Sequence, residues 1–119
     1  MTARQMEASA NRTGQRPSAA AGLVSLFPAA IPVRIPVRVT ALRGDAAALE
    51  EHTVIEYGTA REVLFVSALP LEFEDRVQIE NSDSSLQAEA TVVAVQYEAG
   101  RKAVAARFLR DVSNWIIKP

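Results

Sequence analysis

Cysteine is absent from the 119 residues, which excludes disulfides, thiolate metal sites, iron–sulfur clusters and a cysteine nucleophile. Histidine occurs once, at His52, and one imidazole with no thiolate to join it does not make a transition-metal site. Neither sign of charge is in excess. Lys and Arg number 13 against 14 Asp and Glu, a formal net charge of −1, so no overall field draws the chain to nucleic acid or to an anionic membrane. Long apolar runs are also missing: Ala19 to Ala30 is interrupted by Gly22, Ser25 and Pro28 and falls short of the roughly 20 residues a span requires. Arg4 and Arg12 are followed by no apolar stretch of signal-peptide length before Arg16 and Pro17. These absences predict a soluble, cytoplasmic protein with no membrane span.

The catalytic inventory is empty as well. Ser67, Ser82, Ser84, Ser85 and Ser113 offer hydroxyls, but none sits in a G-x-S-x-G elbow, and no glycine-rich phosphate loop exists. His52 follows Glu50 and Glu51 and reads as a strand-edge histidine. Glu72, Glu74 and Asp75 lack the ligand spacing of a calcium loop and read as a solvated loop that can serve as an interaction patch. Aromatics make only 6% of the chain. Phe65, Phe73, Tyr97, Phe108 and Trp115 fall on different elements with few basic neighbours, a thin basis for a base-stacking platform. The reading is therefore a protein without enzymatic activity or cofactor, with a protein partner and no nucleic acid polymer. Phe73, on the acidic loop, is the first apolar side chain expected to meet that partner. A different class stays open: a small barrel that binds nucleic acid or another ligand, which a basic stripe on the folded surface would reveal.

What is present fits one domain, since 49% apolar and 23% charged residues is a globular balance at a length that supports one core. Residues 1–30 read as a flexible tail: Arg4, Arg12 and Arg16 face the single acid Glu7 without apolar periodicity over the first twenty positions. Within it, Ala19 to Phe27 has room for a short helical turn that Pro28 stops. From Ile31 the tandem IPVRIPVRV begins; its prolines lack the N–H that a central strand donates, so an extended lead-in should enter a strand at about Val37 to Leu42.

Further strands are predicted at Glu51 to Tyr57, Glu62 to Ser67, Arg76 to Glu80, Leu86 to Tyr97 and Lys102 to Leu109. Turns fall at Arg43-Gly44-Asp45, Tyr57-Gly58-Thr59, Asn81 to Ser85 and Glu98-Ala99-Gly100. Alternation puts Val77, Ile79, Val104, Ala106 and Phe108 inward, and Arg76, Gln78, Glu80, Ala105 and Arg107 outward. So many strands in so short a chain hide their edges best by closing into a barrel. The stretch from Asp111 to Pro119, with Trp115, Ile116 and Ile117 grouped, reads as a short helix or turn that plugs one end.

The order of these signals resembles a known family. A PVRV strand, a strand at Thr53 to Ile55, a turn, a hydrophobic strand, the loop led by Leu69-Pro70, and the ending Ala105-Ala106-Arg107-Phe108-Leu109-Arg110-Asp111-Val112-Ser113 together resemble a PilZ domain over roughly Pro36 to Ser113. The resemblance implies an all-β, six-stranded antiparallel barrel over residues 31–119. It also implies bacterial cyclic di-GMP signalling, with cyclic di-GMP as ligand and a regulator or adaptor role through protein contacts. The family holds that ligand with an RxxxR pair on an arm ahead of the first strand, where guanidinium groups fork onto phosphates. A D/N-x-S-x-x-G turn lets backbone approach a guanine. Here the second motif falls on Glu56-Tyr57-Gly58-Thr59-Ala60-Arg61, where all three defining positions differ. Arg34 and Arg38 match RxxxR by count, but the family's frame puts the pair near Leu26 and Ala30. Arg34, Arg38, Glu56 and Arg61 are accordingly the candidate nucleotide contacts.

Overall fold

The computed structural model describes residues 19–42, 49–98, 100–112 and Trp115. The expected turn at residues 43–45 and, Trp115 apart, the expected helix or turn after residue 112 lie outside the described residues, as does most of the expected tail. A 3-10 helix, Ala19–Leu26, precedes six strands: β1 Ile31–Leu42, β2 Leu49–Gly58, β3 Glu62–Ser67, β4 Arg76–Asn81, β5 Gln87–Glu98 and β6 Arg101–Phe108. They close into a barrel in the order β1-β2-β3-β6-β5-β4, and every neighbouring pair is antiparallel. This is the all-β, six-stranded antiparallel, PilZ-like architecture that the sequence implies.

The proline tandem is accommodated by an unequal pairing of β1. From Ile31 to Ala41 the strand pairs with β2, but β4 joins its other side only from Val37 onward. Pro32 and Pro36 thus stand where β1 has one partner, so their missing N–H groups leave no gap in a ladder. The strand begins six residues earlier than the prolines alone suggest, with a register shift between Pro32 and Ile35 absorbing the irregularity.

Alternation then fills the interior. Val37, Val39 and Ala41 of β1, Val77 and Ile79 of β4, and Val104, Ala106 and Phe108 of β6 join Ile55, Val63, Phe65 and Val92 in one buried cluster. A second cluster lies outside the barrel wall, where Ala20 and Leu23 of the 3-10 helix cover Leu64, Val66, Ala103 and Ala105. Two expectations change here. Within residues 19–30, read from sequence as tail, the 3-10 helix packs on the barrel through buried Ala20 and Leu23. Ala105 does point away from the barrel axis, yet it is fully buried because the helix lies over it. That cover explains why β3 is buried on both faces.

Candidate functional site

Two surface regions carry the residues singled out from sequence. The first is the outer face of β1. Arg38 lies opposite His52 of β2 and opposite Glu80 of β4. Its guanidinium donates to the Glu80 carboxylate and stands 4.0 Å from that of Glu50. The hydrogen bond to Glu80 raises the Arg38 pKa further, then the charges of Glu80 and Glu50 add to it. Glu80 is held below the usual carboxylate range, first by the Ser84 hydroxyl, 2.7 Å away, and then by Arg38. Asp83 is lowered by its hydrogen bonds from Ser85, of which the backbone N–H lies at 3.0 Å. A groove of about 350 Å³ runs over Pro36, Arg38, His52, Thr53, Glu80 and Asn81. Arg34 is exposed in the irregular segment of β1; four strand residues, roughly 13 Å, separate it from Arg38.

The second region is the turn between β2 and β3. The Thr59 hydroxyl accepts from the N–H groups of Arg61 at 3.0 Å and Glu62 at 2.9 Å, and donates to the Glu62 carboxylate. Thr59 N–H donates in turn to the Glu62 carbonyl at 2.9 Å. This is a threonine turn, in which a side-chain oxygen satisfies the backbone donors that the bend frees. The Arg61 side chain is exposed, whereas its carbonyl accepts from Phe108 N–H at 2.9 Å. Glu56 sits at a register shift of β2 between Ile55 and Tyr57. Its Oε1 is buried without a hydrogen-bond partner among the described residues. The structure thus brings neither Glu56 nor Arg61 into contact with Arg38.

Trp115 closes this end of the barrel. Its indole N–H donates to the carbonyls of Thr59 at 3.0 Å and Ala60 at 3.3 Å, and its ring meets Phe108 edge to face at 5.6 Å. The ring fits only because residue 58 is glycine: a Cβ there would stand 2.3 Å from Trp115 Cη2. The apolar neighbours of Trp115 mark it as a plug, but its target is not legible, since nothing in the sequence ties Gly58 to a residue 57 positions away.

Beside the plug, the connector Leu26 to Ala29 and the turn Thr59 to Glu62 wall a groove of about 410 Å³ with Arg61 and Arg107 on its rim. The two segments on which the resemblance places a nucleotide site therefore do face each other. The connector contributes Leu26, Phe27, Pro28 and Ala29, with no cation. Arg107 is committed to Glu62, with Nε and Nη2 each 2.9 Å from Oε2. Sequence reasoning missed both Arg107 and Glu62, whose contact depends on the β3–β6 register.

The acidic loop lies at the opposite end. Phe73 is 63% exposed there, and Glu72 accepts from the Tyr97 hydroxyl at 3.4 Å. No group of three or more His, Asp or Glu able to hold a metal ion occurs among the described residues. No helix among them is long and apolar enough to cross a membrane.

Fold and site together define a small closed six-stranded barrel of PilZ-like architecture with a tryptophan-sealed β2–β3 turn. Among solved structures the chain is similar to the Bacillus subtilis inhibitor of motility, MotI/DgrA, with a TM-score of 0.52 at 11% identity. The match covers 72% of this chain and 43% of that one, so the chain spans less than half the length of that protein. At this identity the likeness is one of fold. No family model matches the sequence, and no curated protein does either.

Proposed function

We propose that this chain is a PilZ-like, non-catalytic module of bacterial cyclic di-GMP signalling, a cytoplasmic regulator or adaptor that acts through protein contacts and does not itself grip the dinucleotide. The observation that carries this reading is the groove between the Leu26–Ala29 connector and the β2–β3 turn. Where a dinucleotide receptor needs cations for two phosphates, this groove presents Leu26, Phe27 and Pro28. One of its two rim arginines, Arg107, is already bound to Glu62, and the turn is occupied from within by Trp115. Arg38 is likewise held by Glu80. The name of the structural neighbour, an inhibitor of motility, supports a regulatory use of such a barrel.

Isothermal titration of the full chain with cyclic di-GMP tests the proposal. No saturable heat is expected up to about 1 mM ligand, a bound on affinity near −4 kcal/mol, either for the native protein or for the Arg34→Ala/Arg38→Ala double variant. Micromolar binding that the double variant loses overturns the proposal and makes β1 the face of a working receptor. The nucleic-acid alternative is disfavoured by the pairing of surface cations: Arg38, Arg76 and Arg107 each face a carboxylate, which leaves no basic stripe on those strands.

A further inference from the structure

Seven large hydrophobic side chains are exposed among the described residues, and four of them, Leu42, Leu49, Phe73 and Tyr97, gather at the barrel end opposite Trp115. The pairing registers fix this. Leu42 lies opposite Arg76, three residues after Phe73, and Leu49 lies opposite Ala41. Tyr97 lies opposite Lys102, which pairs on its other side with Ser67 at the end of β3.

Phe73 and Tyr97 are the most exposed of the four, at 63% and 65%, and both stand on ordered supports. The Lys102 ammonium lies beneath Tyr97, donating to the carbonyls of Leu69 at 3.1 Å and Leu71 at 2.9 Å and standing 5.3 Å from the Tyr97 ring centroid. The turn that carries Phe73 is tied at both ends: Glu72 N–H donates to the Asp75 carboxylate at 2.9 Å and Asp75 N–H to the Glu72 carbonyl at 3.0 Å. The same turn bonds β5, Glu74 N–H to the Val92 carbonyl and Val92 N–H to the Asp75 carbonyl, each at 2.8 Å. A turn backbone held in this way loses little conformational entropy on association. Glu72 and Glu74 flank Phe73 and are themselves exposed; the exposed cations described nearby are Arg101, which opens β6, and Arg76, which is paired with Glu89.

We propose that this end of the barrel is the docking surface for a basic amphipathic polypeptide segment, whose apolar side covers Phe73 and Tyr97 and whose Lys or Arg residues meet Glu72 and Glu74. Charge complementarity selects that occupant: exposed aromatics bordered by carboxylates favour an apolar partner with cations at its edge over a neutral or acidic one. The inference rests on the protein-contact reading above and adds to it the place and the chemistry of the contact.

A displayed library of random peptides, selected on the purified full chain, tests it. The enriched peptides should combine Leu, Ile or aromatic residues with Lys or Arg. Their affinity should fall about tenfold or more with Phe73→Ala, as for a hot-spot aromatic, fall similarly with Glu72→Lys/Glu74→Lys, and weaken as salt is raised. Both variants change exposed side chains, and unaltered Trp115 fluorescence certifies their fold. Absence of enrichment, peptides rich in acids, or binding that survives Phe73→Ala overturns the inference. Peptides lost instead on substitution of Leu26 overturn the location while leaving the protein-contact reading standing; that reading falls separately, by the cyclic di-GMP titration.

Discussion

At the scale of single residues, the Gly58–Trp115 contact leaves the least room of any described glycine. The indole is held by two carbonyl acceptors and by Phe108, so it has little room to yield to a methyl group built 2.3 Å from it. Gly58→Ala should cost about 1–3 kcal/mol by overpacking, read as a lower urea midpoint with a blue- or red-shifted Trp115 emission. Trp115→Phe keeps much of the ring but removes the N–H and should cost about 1 kcal/mol or more, since two carbonyls lose their donor. Glu80 makes a different prediction. Its pKa is lowered in the folded protein by Ser84 and Arg38, so its contribution is complete above the ordinary glutamate pKa. That contribution is lost as the pH falls from there through the lowered folded value. Glu80→Gln should flatten the acid limb of the stability curve in that window and leave neutral-pH cooperativity intact; an acid limb unchanged from the native protein contradicts the assignment. The group is half-buried at the surface and its partner Arg38 is exposed, so the effect should shrink in high salt.

At the scale of elements, period and punctuation made most of the barrel legible. Strand β3 appears at Glu62–Ser67 as its short apolar run between turn signals demands, and the other strands depart from expectation by a residue or two at their ends, apart from β1. The exception at β1 is instructive: proline excludes a two-sided strand but not a strand with one neighbour, and which of these holds depends on where β4 begins, a long-range fact. The helical turn at Ala19–Leu26 matches expectation, but its docking on the barrel was hidden for a related reason. Ala105 alternates with inward residues and so reads as outward-facing; only the docking of Ala20 and Leu23 from more than 80 residues earlier buries it. Leu23→Ala should therefore cost about 2–5 kcal/mol, the range for a buried leucine, although Leu23 belongs to a segment whose composition reads as a tail. Amide exchange of β3 and β6 should accelerate with it if the helix is part of the same cooperative unit.

At the scale of the whole molecule, the question is where the folding unit begins. A boundary at residue 31 leaves six strands and a closed hydrogen-bond cycle, which by the logic of edges is self-sufficient. Burial argues for an earlier start. Without the 3-10 helix, Leu64, Val66, Ala103 and Ala105 would turn a continuous apolar strip of β3 and β6 to water, and such strips are sites of association. We propose that the folding unit reaches back at least to Ala19. The candidate site gives the same answer, because the groove beside Trp115 takes one wall from Leu26–Ala29 and the other from the β2–β3 turn, so a chain cut at residue 31 loses half of it. The departures of Glu56–Arg61 from the family turn were visible in the sequence, but the apolar wall facing them required the fold. Two truncations separate the boundaries. Against a chain beginning at Ala19, one beginning at Ile31 should lose at least the Leu23 contribution of about 2–5 kcal/mol and self-associate or bind a hydrophobic dye. If the Ile31 form is monomeric and as stable as the full chain, the helix is an accessory to the barrel and the earlier start is wrong.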